Sequence, residues 1–135
     1  MTHKEKGHQI EFDPKDRILK LKLWGFWDKT SGEQFRQEFI QKSKTIWKNG
    51  QKWYILANLS NYPPQSDEVQ KIFSEAMVFA RDHGLKKAAR VVDKMTTQLQ
   101  FNRLSQEIDF QAYAFFHSEE EARAWLLDNK HEGKK

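Results

Sequence analysis

No cysteine occurs anywhere in the chain, so disulfide bonds and thiolate chemistry are excluded, and any fold must rest on packing and hydrogen bonding. Long apolar runs are missing as well; none approaches the roughly 20 residues that a helix needs to cross a bilayer. The six glycines and three prolines are scattered, and they spell neither a glycine-rich phosphate loop nor a flexible linker. Charge of one sign is scarce: 23 Lys and Arg stand against 19 Asp and Glu, for a net charge of +4. Much of that excess sits at Lys4, Lys6, Lys130, Lys134 and Lys135. The body is nearly neutral and carries no basic–aromatic stripe, so no nucleic-acid partner is expected. Met1–His8 is too polar for a signal peptide, and a cytoplasmic location is expected.

What the chain does hold is aromatic and periodic. Ten Phe, five Trp and three Tyr are spread over 135 residues, enough chain to bury one core. A single domain is expected over residues 9–128, between disordered tails at 1–8 and 129–135. Ile10 and Phe12 alternate with polar neighbours as a strand. Asp13-Pro14-Lys15-Asp16 reads as a turn, and Leu19, Leu21 and Leu23 alternate with Lys20 and Lys22 as the returning strand of an edge hairpin. Thr30-Ser-Gly-Glu33 matches a capping box ahead of a helix with Phe35, Phe39 and Ile46 on one stripe, stopped by Asn49-Gly50.

Trp53–Ala57 is a continuous apolar run, as suits a central strand covered on both faces. After the Tyr62-Pro63-Pro64 loop, Ser66 caps a helix with Asp67 and Glu68 in its first turn and with Val69, Ile72, Phe73, Ala76 and Ala80 as its core stripe, ending at His83-Gly84. Ala88–Val92 is a further buried strand. Lys94–Glu107 carries Phe101, Leu104 and Ile108 on one face and Met95 and Leu99 on another, which fits one helix or a broken pair. Phe110–Phe116 reads as the last strand. Ser118-Glu-Glu-Glu121 caps a final helix whose buried stripe is Ala122, Trp125 and Leu126. The order ββαβαβαβα predicts an α/β domain with a mixed, mostly parallel five-stranded sheet, an N-terminal hairpin and about four helices on both faces.

That order resembles the SpoIIAA-like family of the STAS superfamily, together with Ile55-Leu-Ala-Asn-Leu-Ser60 before a helix and Phe115-Phe-His-Ser-Glu-Glu-Glu-Ala-Arg-Ala-Trp-Leu126 at the end. The resemblance spans about residues 9–127. It implies a non-enzymatic regulatory or ligand-binding domain. Relatives are similar in fold to CRAL-TRIO lipid-binding domains, which implies a small apolar or lipid-like ligand and contact with a membrane surface. STAS antagonists of anti-sigma factors are switched by serine phosphorylation at a helix start. Here the equivalent stretch is Ser66, Asp67 and Glu68: acids occupy the phosphoacceptor register and the glycine is missing.

Side-chain chemistry points the same way. The five histidines are far apart and none belongs to an HExxH pattern, so no metal and no cofactor is expected. The Glu119–Glu121 run is best read as dipole-stabilising acid in a first turn. No nucleophile–base pair is visible, so no enzymatic activity is expected. The expected contact surface for an apolar ligand or a protein partner is Trp24, Trp27, Tyr62, Met77, Phe79, Phe101 and Leu104. Trp24 and Trp27 either plug the edge of the core or line a pocket mouth, and Met77 and Phe79 widen the apolar stripe of their helix. A regulator that binds a protein partner without a pocket, including as a homodimer, is the alternative. An apolar cavity would favour the ligand and a flat apolar patch the partner.

Overall fold

Alternating apolar and wet residues build the opening hairpin, in which β1 (Gly7–Asp13) pairs antiparallel with β2 (Ile18–Trp24). The computed structural model describes residues 5–48 and 50–128. Of the expected tails, 1–4 and 129–135 lie outside the described residues, as does Asn49 of the expected helix stop. Gly7 and His8 belong to β1, where they pair with Trp24 and Leu23. Then follow α1 (Lys29–Trp47), β3 (Trp53–Asn61), α2 (Asp67–Asp82), β4 (Leu85–Val91), α3 (Met95–Glu107), β5 (Tyr113–Phe116) and α4 (Glu119–Leu126).

The five strands lie in chain order, β1-β2-β3-β4-β5, and every pairing after the hairpin is parallel. Crossovers of one hand taken in one direction lay their helices on one face. Accordingly α1, α2 and α3 share one core with Leu19, Leu21, Ile55, Ala57, Leu59 and Ala88. The other face receives α4, whose Ala122 and Leu126 pack on Ile18, Leu56, Ala89 and Val91. The stripes expected of α1 and α2 are buried: Phe35, Phe39, Ile46, Val69, Ile72, Phe73, Ala76 and Ala80.

Several local expectations are corrected. The N-cap of α1 is Asp28, not Thr30: the Asp28 carboxylate accepts from Ser31 N at 2.8 Å. That hydrogen bond, first among the causes, holds its pKa down at about 2. Thr30 therefore falls inside the first turn. Of the expected 94–107 segment, Met95–Glu107 form a single helix, with Lys94 as its N-cap. It ends in a Schellman motif in which Phe110 N donates to Ser105 O and Asp109 N to Gln106 O, with Asp109 itself left-handed at φ 58°. This motif uses up Phe110, so β5 begins only at Tyr113. The expected capping box of α4 is present, with Ser118 Oγ accepting from Glu121 N at 3.2 Å. Trp125 is only half buried, its ring lying against Phe116 and 4.7 Å from Lys87 Nζ.

The small α4 is pinned to the hairpin turn from a distance. Arg123 Nη2 reaches Asp13 and Asp16 at 2.6 Å each, and the bond from Arg123 pulls the Asp13 carboxyl below its usual range. Gly84, past the end of α2, sits at φ 92°, and a Cβ there would run into the Trp47 ring of α1. Gly84→Ala is therefore expected to destabilise the protein by about 1–3 kcal/mol. A lower urea midpoint at unchanged slope is the measurement that checks it.

Candidate functional site

In sheets of this kind ligands and partners meet the loops at the carboxyl ends of the parallel strands. Two such loops and α3 converge here on one buried side chain, Gln65, which is 7% exposed. Its Oε1 accepts from Trp27 N at 2.8 Å, and its Nε2 donates to Gly25 O and Pro63 O at 3.1 and 2.6 Å. Its backbone is held in both directions by Gln100 of α3: Gln65 N donates to Gln100 Oε1 at 2.8 Å, and Gln100 Nε2 donates to Gln65 O at 3.1 Å. One glutamine thus ties the β2–α1 loop, the Pro-Pro loop and α3 together. Thr97 adds a second tie from α3, donating to Tyr62 O at 2.8 Å.

Because Gln65 grips Gly25 on one side and Trp27 on the other, the residue between them, Phe26, is turned outward and is 58% exposed. On α3, Met95 and Leu99 stand one turn apart at 65% and 58% exposure, and Leu99 adjoins the Gln100 that bonds to Gln65. These three make an apolar rim at the carboxyl ends of the strands. Arg103 continues the Met95–Leu99 line along α3 and is exposed.

Most of the expected contact residues lie elsewhere. Trp27, Tyr62, Met77, Phe101 and Leu104 are each less than 5% exposed and belong to the core. Trp27 packs edge-on to Tyr62 at 5.1 Å and near Phe35 at 5.4 Å, and Tyr62 leads on to Phe101 at 6.2 Å. These rings fill the space in which a pocket was expected: between α2 and α3 about 10 Å³ is left, bounded by Tyr62, Phe73, Phe101 and Leu104 among others, about the room of one water. Trp24 is half buried at the end of β2 and its carbonyl accepts from Trp27 Nε1 at 3.1 Å. Phe79 is half buried and stacks on His83 at 3.9 Å, apart from the others. Ser66 caps α2, its Oγ accepting from Val69 N at 3.3 Å, while Asp67 and Glu68 are exposed in the first turn.

The opposite face carries a polar groove of about 160 Å³ lined by Gln9, Glu11, Lys20, Lys22 and Glu119. Partial burial works to raise the Glu119 pKa, but Lys20 at 2.8 Å and Asn58 Nδ2 at 2.8 Å outweigh it and hold the carboxyl low. Glu119 thereby anchors α4 to β2 and β3. Among the described residues no group of three or more His, Asp or Glu could hold a metal ion, and no helix is long and apolar enough to cross a membrane.

The fold is SpoIIAA-like, as the strand order and the closing helix motif led us to expect. The chain is similar to the crystal structure of an uncharacterized protein of the DUF3478 family with a SpoIIAA-like fold from Shewanella loihica PV-4. The two share 17% sequence identity at a TM-score of 0.65, over 93% of this chain and 98% of that one. At that identity the likeness shows the fold alone. No family model matches the chain, and no curated protein matches it.

Gln65 was not singled out from sequence; the one local signal was a polar residue wedged between Pro-Pro and a helix cap. Its role is directly testable. Gln65→Leu leaves the buried Trp27 N–H without an acceptor and is expected to cost about 1–3 kcal/mol. The Trp27 amide should also become one of the fastest-exchanging in the core, and an unchanged exchange rate would show that the clamp is dispensable.

Proposed function

We propose that this chain is a non-enzymatic, STAS-like regulatory domain that acts by contact with a protein partner through the rim of Phe26, Met95 and Leu99. The observation that carries this reading is an asymmetry of α3. Its inner line, Phe101 and Leu104, is packed with about 10 Å³ to spare, while its outer line presents two large apolar side chains to water. Exposed apolar groups clustered on a rigid rim are what a partner surface needs. The half of the STAS pattern that would act as a serine switch supports contact rather than chemistry here, since the Ser66 hydroxyl is engaged as a cap. A cytoplasmic location belongs to the same proposal and rests on the cysteine-free composition.

Site-specific photo-crosslinking from position 99 in the source cells tests it. One discrete protein adduct is expected, a second copy of this chain being one form it can take, and none from the exposed Lys42 on α1. The Met95→Glu, Leu99→Glu double variant should lose that adduct at least about tenfold. It should stay within about 0.5 kcal/mol of the parent in stability, because both positions are exposed. Equal adducts from positions 99 and 42 would rule out the rim.

A second reading, an apolar or lipid-like ligand admitted beneath α3, is favoured by one observation. The Tyr62 hydroxyl is buried there without a hydrogen-bond partner, and burial pushes its pKa up. The N-terminus of α3 has no side-chain cap, so α3 is the helix to lift. This reading requires fast amide exchange over 95–107 that slows when dodecanol or lipid vesicles are added. Exchange indifferent to both would leave the partner reading alone.

A further inference from the structure

Arg90, on β4 between α3 and β5, is a costly side chain to bury. It is 2% exposed, and among the described residues no carboxylate pairs with it. Nη1 donates to Ser105 Oγ at 2.6 Å. The guanidinium lies 5.4, 5.0 and 5.9 Å from the ring centres of Phe101, Tyr113 and Phe115. Nη2 has no hydrogen-bond partner. Burial draws its pKa down to about 10, so it is still a cation at neutral pH.

A buried cation without a counter-charge is costly, and an apolar side chain of similar volume would fill the same space at less cost. Three rings offset part of that cost through cation–π attraction, but they offer nothing to the idle Nη2. The other buried cation shows the contrast: Lys87 finds a carbonyl, Trp125 O, at 2.9 Å.

One of the three rings, that of Tyr113, reaches the surface. Tyr113, whose ring covers the guanidinium, is also a wall of an open depression of about 520 Å³ shared with Gln106, Asp109, Phe110 and Gln111. Tyr113 is half exposed on the edge strand and is tethered at its tip by a bond from its hydroxyl to Asn102 Oδ1 at 2.5 Å. Among the described residues, Tyr113 is thus the one side chain that both covers the guanidinium and walls the depression.

We infer that Arg90 is the recognition group of an anion site, entered from the depression beside β5, for a small monocarboxylate with an apolar body. The planar fork of a guanidinium matches a carboxylate. A single charge is indicated because, among the described residues, none that lines the depression is a cation, and Asp109 in the wall opposes further negative charge. An apolar body is indicated because Phe101, Tyr113 and Phe115 surround the guanidinium itself and Phe110 stands in the wall of the depression beside Gln106, Asp109 and Gln111. This site shares Phe101 with the α2–α3 seam but lies on its β5 side, and it does not depend on the partner proposal.

Titration of the full chain with hexanoate, hexanol and inorganic phosphate tests it, followed by calorimetry and by the NMR signal of Arg90 Nε–H. Hexanoate should bind at least roughly tenfold tighter than hexanol or phosphate, the difference a charged hydrogen bond makes, and should shift the Arg90 signal. Arg90→Met should abolish the preference for hexanoate over hexanol while keeping the far-ultraviolet dichroism of the parent. Equal binding of hexanoate and hexanol, equal binding of phosphate, or an Arg90 signal that ignores hexanoate overturns the inference. So does an Arg90→Met protein that keeps the preference. Should that variant fail to fold, the Arg90 signal and the three-ligand comparison in the unmodified chain decide alone.

Discussion

The direction in which the chain crosses its sheet constrains everything else. After the hairpin, each strand is added on the same side of the last, and each crossover has the same hand. Three helices must then share one face. That face becomes a deep core dense in aromatic rings, whereas the other is left to an eight-residue helix. The imbalance explains why α4 needs anchors beyond its apolar stripe. Arg123 holds it to the hairpin turn and Glu119 holds it to Lys20 and Asn58. Partly exposed ion pairs of this kind stabilise little individually, but they fix where a short helix lies.

Within the crowded core the buried polar side chains act as locks, and they differ in how completely they are satisfied. Gln65 spends both ends of its amide on three loop carbonyl and amide groups. Ser43 returns its hydroxyl to Phe39 O, and Thr97 binds Tyr62 O. Fully bonded groups of this sort make one arrangement of the loops cheaper than any other. Tyr62 and Arg90 each keep an unpaired atom, and both pack against Phe101 of α3. The unmet polar demand of the core is thus concentrated beneath a single helix.

That helix also carries the exposed pair Met95 and Leu99. In the two proposals its inner face serves a ligand and its outer face a partner, and α3 is the structure common to both. At the start of α2 the Ser66 hydroxyl caps the helix, and the adjoining Gln65 ties that end to its neighbours.

Sequence by itself determined the elements and their order, because strand and helix periodicity are local properties. The stripes Phe35–Phe39–Ile46 and Val69–Phe73–Ala80, the caps at Ser66 and Ser118 and the edge hairpin could all be read within a few residues of one another. The two outward residues of α3, Met95 and Leu99, were legible too, as the face that did not fit a single core. Competing local signals were decided only in the fold. Asp28 took the cap from Thr30 because the helix starts at Lys29, where the Asp28 carboxylate meets Ser31 N, and Asp109 turned left-handed and shortened β5. Tertiary structure alone revealed Gln65 and Arg90, since partners such as Gly25 of Gln65 and Ser105 of Arg90 lie 40 and 15 residues away. It alone also turned Trp27, Tyr62 and Met77 from a supposed surface into core. An apolar side chain looks the same in a sequence whether it lines a pocket or fills one, and the difference is set by what packs against it.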